Sequence, residues 1–565
     1  MKVTVQNLAD VVFRGGSIFT GAPKPVQGLA LVVRAGRICA LVPDSDLAPY
    51  IGADTEIVEL HGDLLLPGFQ DAHIHPAQGG VELLQCNLTP AANAEEAVAL
   101  IAAYAAANPD VPWIEGGGWS MDHYPGGTPL AAMIDAVVPD RPVSLSSRDH
   151  HSLWANSAAF RAAGIDASTP DPEDGRIERL ADGSPAGTLH EGAAGLIEAH
   201  SPVVSEELLV AGLLRAQDDL LAQGITGWQD ALVGGFAGIP DTRVAYERAL
   251  AKGQLKARVR GALWWERSQG LEQLDSLIER RATAEALGQP ERFSLGTVKI
   301  MVDGIAENFT ASMMDSYRDC HGHDTGNKGL SFISADDLAT YVTALDAAGF
   351  QVHFHALGDR AVRDALNAVE AARKANGPSG LRHHLAHLQI VSEQDTGRFA
   401  ELGATANLQP LWARHEAQID ELTLPFMPAS AKDRQYPFGE LHARGARLAA
   451  GSDWPVSSAD PIAGVHVAVN RIAAGLDREP LGGEIQRLDL ATALSAYTSG
   501  TAYVNHRDSE TGRLAPGYYA DLTVVSPDPF GVPASEIHRS RVVSTWIDGQ
   551  CVYAAAEDAV PQENR

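Results

Sequence analysis

The sequence predicts a parallel α/β architecture whose length suits a (β/α)8 barrel of the TIM type, with β-rich segments at both ends. Three observations predict it. Between about residues 64 and 507, short apolar runs of strand length alternate with helical stretches such as 93–107, 206–223, 271–287, 335–348 and 360–376, the alternation that builds a parallel sheet covered by helices. Several of those runs end in histidine or aspartate just before a turn. Residues 1–63 and 508–554 share a texture of short strands and turns.

Composition narrows the function classes. The chain has 565 residues, 45% hydrophobic and 20% charged, enough for a sizeable core and more than one domain. Its 72 acidic residues outnumber 43 Lys and Arg, for a net charge of −29. Such a surface repels nucleic acid and anionic membranes, so the expected partner is a small-molecule substrate, with homo-oligomerisation left open. Cys39, Cys86, Cys320 and Cys551 show no metal-type spacing and are too few for a disulfide framework. The N-terminus lacks the apolar core of a signal peptide. No apolar run approaches the roughly 20 residues that span a bilayer. The expected location is the cytoplasm.

Taken in order, 10–13, 28–33 and 37–42 read as strands, with Ala35-Gly36 as the hairpin turn between the last two. The apolar run from Leu64 to Phe69 leads into Asp71-Ala72-His73-Ile74-His75, and Pro76 ends it. Residues i and i+2 of a strand share a side, so His73 and His75 can present two imidazoles to one point, which suits a divalent metal. Strand candidates then lie near Trp113, Val143, Ile225 and Val259, four where two would do. An insertion of about 85–220 accounts for the surplus. Thr297-Val298-Lys299-Ile300-Met301-Val302 carries a lysine inside a β-type run, and burying an unpaired ammonium is costly. Lys299 therefore pairs with a carboxylate such as Asp303 or Glu307, snorkels out to solvent, or is carboxylated into an oxygen-donor anion. Gln351-Val352-His353-Phe354-His355 ends before a Gly358-Asp359 turn. Arg382-His383-His384-Leu385-Ala386-His387-Leu388-Gln389 reads as a short strand carrying histidine, and Arg447-Leu448-Ala449-Ala450-Gly451-Ser452-Asp453 as an apolar strand ending in an acid before a tight turn. His383 and His384 read as structural, since neither heads a strand end. At the C-terminus 520–525 and 542–553 read as strands, and 555–565 as a disordered tail.

These motifs, in this order, resemble the amidohydrolase superfamily and within it the amidohydrolase 3 branch, over nearly the whole chain. The resemblance implies a (β/α)8 barrel over 64–507 whose strand ends carry the ligands, and a small β-sandwich built from both chain ends, 1–63 and 508–554. It implies two divalent metal ions, with zinc the leading choice. His73, His75 and Asp453 would hold the first, His355 and His387 the second, and carboxylated Lys299 would bridge them. Two departures stand out: Ala386 occupies a position where many relatives carry Glu, and His353 lies two residues before His355 as a competing ligand. Segments 113–119, 149–156 and 185–191 are similar to family segments near the active site. They make Trp119, His151, Asn156 and Glu191 candidates for substrate contact. Tryptophans near strand ends suggest a mostly apolar or aromatic substrate.

The ligand set implies chemistry. A bound ion can lower the pKa of water from about 15.7 to roughly 7, and Asp453 would act as ligand and general acid–base. The leading expectation is a hydrolase cleaving a carbon–nitrogen bond, an amide or N-acyl amine. The alternatives are a deaminase of an aminated heterocycle, which usually uses one metal and a catalytic Glu absent after His355, and a non-catalytic binding protein on the same barrel. Attack on an ester stays open.

Overall fold

The computed structural model describes residues 8–235 and 239–556. The expected disordered tail lies outside the described residues except for Ala555 and Ala556. Eight parallel strands form the central sheet: β1 (Phe69–Ile74), β2 (Ile225–Val233), β3 (Arg258–Trp264), β4 (Phe293–Met301), β5 (Gln351–Ala356), β6 (His384–His387), β7 (Thr405–Leu408) and β8 (Arg447–Ala450). Spatial order follows chain order, so each strand pairs with the next. The sheet curls until its two edges nearly meet. Just past them the Asp453 N–H donates to the His73 carbonyl at 2.8 Å, giving a TIM-type barrel. Strands β1, β5, β6 and β7 are buried at every residue, as expected for a parallel sheet covered on both faces. The covering helices are amphipathic: in Asp359–Asn376, Val362, Ala365, Leu366 and Val369 recur at helical spacing and face the core.

The strand candidates near Ile225 and Val259 are β2 and β3. Those near Trp113 and Val143 belong to a separate six-stranded sheet between β1 and β2, ordered Gly175–Arg179, Pro185–Glu191, Ser152–Ala155, Val143–Ser147, Ile114–Trp119, Cys86–Asn87. This sheet has apolar clusters of its own, around Trp154 and Leu145 and around Leu153 and Phe160.

Two further sheets complete the fold, and both chain ends meet in one of them. One is N-terminal throughout, ordered Arg37–Pro43, Leu29–Arg34, Val11–Arg14, Glu56–Glu59. Ala35 and Gly36 both have positive φ (49° and 74°), the backbone of a tight hairpin turn matched to strand twist. In the other, the C-terminal strand Leu522–Ser526 pairs antiparallel with Leu64–Pro67. Phe13, Leu31, Leu65, Leu522 and Trp546 share one core.

A buried ion pair ties the barrel to these sheets. Arg258, at the start of β3, donates to both carboxylate oxygens of Asp521, with 3% and 4% of the two side chains exposed, and also to Asp548. Removing one partner of such a pair strands the other charge, typically at about 3–5 kcal/mol. Asp521→Ala is expected to lower the unfolding free energy by an amount near the bottom of that range, read as a lower denaturant midpoint, because Asp548 still faces the guanidinium. An unchanged midpoint would show that the pair does not hold the sheets to the barrel. Among the described residues, no helix is long and apolar enough to cross a membrane.

Candidate metal centre

Each ligand candidate leaves the C-terminal end of a barrel strand, where loops gather the chemistry of this fold. At β1, His73 is 1% exposed and His75 precedes the helix Pro76–Leu84. Asp71 lies beneath them. Its carboxyl accepts the N–H groups of His73 (3.0 Å) and Ser452 (3.0 and 3.1 Å), stitching β1 to the end of β8, and burial pushes its pKa up to about 7. The close approach is possible because residue 451 is glycine: a Cβ there would lie 2.5 Å from the His73 nitrogen. Asp453 follows in the left-handed region (φ 57°). That turn brings Oδ1 to 3.2 Å from His73 Nε2 and 3.0 Å from His75 Nε2, and Oδ2 to 3.9 Å from His387 Nδ1.

At β6, His387 stacks flat on Trp412, with ring centroids 5.3 Å apart and planes 5° from parallel. It is 1% exposed, yet neither ring nitrogen has a hydrogen-bond partner. At β5, the His355 ring centroid is 4.4 Å from that of His387, and its Nε2 is 3.4 Å from the Gly304 carbonyl. At β4, Lys299 is 3% exposed and its Nζ lies 3.4 Å from His73 Nε2. Burial draws its pKa down to about 8 against the pull of Asp453 and Asp230. Neither carboxylate named for it in the sequence pairs with it. Asp303 accepts three backbone N–H groups, from Ser312, Leu357 and Gly358, and Glu307 accepts the Thr423 hydroxyl.

These residues fit a divalent cation. His73, His387 and Asp453 each offer a ligand atom, all within 4.8 Å of one another. Burial holds His73, His355 and His387 well below the ordinary histidine pKa, so they stand as neutral donors. Buried polar atoms seldom lack partners, but here His75 Nδ1 and both His387 nitrogens do.

All six predicted ligands line one cavity of about 290 Å³. His151 and Glu191 line it too. His151 Nδ1 is 2.8 Å from Glu191 Oε2, and the His151 ring centroid is 5.5 Å from that of His355. Burial pulls the His151 pKa down, but Glu191 and Asp149 outweigh it and raise it to about 9. Two expected substrate contacts are corrected. Asn156 is fully buried and its amide is spent inside the protein: Oδ1 accepts from Val143 and Ala159 N–H, and Nδ2 donates to the Val138 and Arg141 carbonyls. Trp119 is packed against Trp154 and Tyr124, and donates to the Leu145 carbonyl at 2.8 Å. The sequence reading missed the rest of the cavity wall. It mixes apolar Leu153, Val204, Met301 and Phe332 with Glu115 and Glu198, each of which burial raises to about 7. It also missed Trp412 as the platform under His387.

A parallel barrel whose strand ends gather buried, unprotonated imidazoles around an aspartate defines a class: metal-dependent hydrolases. The chain belongs to the amidohydrolase family, whose model matches residues 56–553. It is 30% identical over 550 residues to the protein YtcJ of Bacillus subtilis (strain 168), covering 96% of this chain and 99% of that one. It is 28% identical over 560 residues to the N-substituted formamide deformylase of Arthrobacter pascens, covering 97% and 98%. A metal-dependent hydrolase of Pyrococcus horikoshii OT3 shares the fold, with a TM-score of 0.68 at 24% identity over 93% of this chain and 99% of that one.

Proposed function

We propose that the protein hydrolyses an amide or N-acyl bond of a small substrate with apolar or aromatic character, using two divalent ions, zinc foremost. The observation that carries this reading is His387, buried with both ring nitrogens orphaned beside His73 and Asp453. His73, His75 and Asp453 would hold one ion and His355 and His387 the other. Lys299, carboxylated by carbon dioxide with loss of a proton, would bridge them; its burial, with no carboxylate in ion-pair contact among the described residues, supports this. Such ions, when bound, supply water of lowered pKa and polarise a carbonyl oxygen.

The chain's own groups do the rest. Asp453 accepts a proton from the attacking water and returns it to the leaving nitrogen. His151, its Nδ1 held by Glu191, has Nε2 left to donate toward the oxygen of the scissile carbonyl, and Glu191 favours the charged imidazolium that does this best. Leu153, Val204, Met301 and Phe332 receive the apolar part of the substrate. The formamide deformylase among its relatives makes N-formyl amines the first substrates to try. A cytoplasmic location agrees with four cysteines that form no disulfide.

Metal content per chain, measured by mass spectrometry on protein purified without chelator and on Lys299→Ala, tests this reading. Near two ions, falling in the variant, is the expected result. One ion untouched by the substitution would remove the bridge and move the assignment to a one-metal deaminase. Among the described residues the one compact cluster, His73, His387 and Asp453, favours that second reading. Release of ammonia from an aminated heterocycle would establish it.

A further inference from the structure

Below the ligands the barrel interior holds a chain of amides and imidazoles, and its hydrogen bonds can be assigned from both ends. Gln351 Nε2 donates to the Arg382 and Val504 carbonyls at 2.8 and 2.9 Å. Carbonyls only accept, so Gln351 Oε1 points the other way, where Thr297 Oγ1 (2.7 Å) and Arg260 Nε (3.3 Å) donate to it. Gln229 must then turn its amide nitrogen toward that oxygen, at 3.5 Å, and toward Asn505 Oδ1, at 3.1 Å. From the other end, Asn407 Nδ2 donates to the Ala72 carbonyl at 2.9 Å and lies 3.2 Å from His384 Nδ1. That nitrogen accepts, so neutral His384 carries its proton on Nε2, 2.9 Å from Gln229 Oε1. The two anchors orient Gln229 identically, with its oxygen as the acceptor.

His353 Nδ1 is 2.8 Å from the same oxygen and therefore donates to it. His353 is fully buried, and among the described residues no carboxylate lies within ion-pair distance of it, so it is neutral with a bare Nε2. That Nε2 is 2.7 Å from His73 Nδ1, which must supply the proton between them. His73 is left with its lone pair on Nε2, facing Asp453 Oδ1 at 3.2 Å.

We propose that Gln229 and His353 are positioning residues that lock His73 in the tautomer protonated at Nδ1, so that its Nε2 lone pair is aimed at the metal position before any ion arrives. What the lone pair is for rests on the metal-centre reading; the tautomer belongs to the polypeptide alone. Outer partners of metal-binding histidines commonly set tautomer and ring orientation in this way, and losing one costs about 10–100-fold in metal affinity. His353 thus serves as a support for a ligand, not as a competitor of His355.

The test is nitrogen–proton correlation NMR on full-length protein labelled at histidine with nitrogen-15, as purified and after dialysis against a chelator. The His73 signal is identified by its loss in His73→Gln. A His73 proton on Nδ1 in both states is expected. A proton on Nε2 in the dialysed wild-type protein would overturn the proposal, whatever the variants do. His353→Gln places an amide oxygen where Nε2 accepts, and should keep the tautomer and bind zinc within a few-fold of wild type in competition with a chromophoric chelator. His353→Leu should scramble the tautomer and weaken zinc about 10–100-fold. An unchanged tautomer in folded His353→Leu would overturn the proposal. Wild-type protein with the expected tautomer but no zinc binding would leave the lock standing and remove the metal-centre reading.

Discussion

Asp453→Asn is expected to lose turnover by at least about 10²–10⁴-fold, the usual worth of a positioned acid–base group, while melting within a few degrees of the wild type. The two halves of this expectation come from different atoms. Stability at this position rests on the backbone: Asp453 sits at φ 57° and its N–H closes the barrel seam on the His73 carbonyl at 2.8 Å. Asparagine is among the few residues that tolerate the left-handed region, and it keeps that N–H. In the proposed mechanism the chemistry rests on the carboxylate, whose oxygens reach His73, His75 and His387 and which an amide could replace neither as a charged ligand nor as a proton acceptor. Steady-state kinetics on the best N-acyl substrate, beside a circular-dichroism melt, separates the two. Turnover near the wild-type level would show that Asp453 is not the acid–base group.

Gly451→Ala is expected to damage fold and activity together. Its Cβ would sit 2.5 Å from the His73 nitrogen, 2.8 Å from Asp71 Oδ1 and 3.0 Å from His73 Cβ. None of these can retreat cheaply, since one is strand backbone and another a carboxylate pinned by the N–H groups of His73 and Ser452. Forcing atoms into a packed site costs typically about 1–3 kcal/mol. The strain falls on the seam that sets the separation of His73 from Asp453, so activity should drop further than stability alone explains. A variant that unfolds at the wild-type midpoint and keeps full activity would show that β1 and β8 are not in close register there.

The candidate ligands could be picked out in the sequence because they cluster at or just beyond the ends of barrel strands, inside short local patterns. Lys299 was legible for a related reason: a cation in a β-type run needs an explanation that a loop lysine does not. The first half of the barrel was not legible, because the strands near Trp113 and Val143 have the same local texture as β2 and β3 and only tertiary pairing assigns them to a different sheet. Asn156 misled because an amide beside a family-like segment reads as a contact. Its actual work, capping the helix Ser157–Ala163 and tying it to the Val138 and Arg141 carbonyls, depends on partners that sequence spacing does not reveal. The cavity wall escaped for the same reason, since Glu115, Glu198 and Phe332 come from segments far apart in the chain. His353 shares a strand face with His355, but whether it lies at the rim or one layer down depends on the register of β5 against β4 and β6.

The pairing of Leu522–Ser526 with Leu64–Pro67 also sets a timetable for biosynthesis. The leucines of Leu64–Pro67 leave the ribosome about 450 residues before the strand that covers them, a wait of roughly 20–90 s at ordinary translation rates. Through that interval Leu64–Pro67 has only Ser17–Ile18 on one edge, and its other, apolar edge stays unpaired immediately upstream of His73. Completion of the last strands is therefore a checkpoint for the whole molecule. Truncations that remove Leu522–Ser526 should produce chains that engage chaperones or aggregate, even though they retain every candidate ligand.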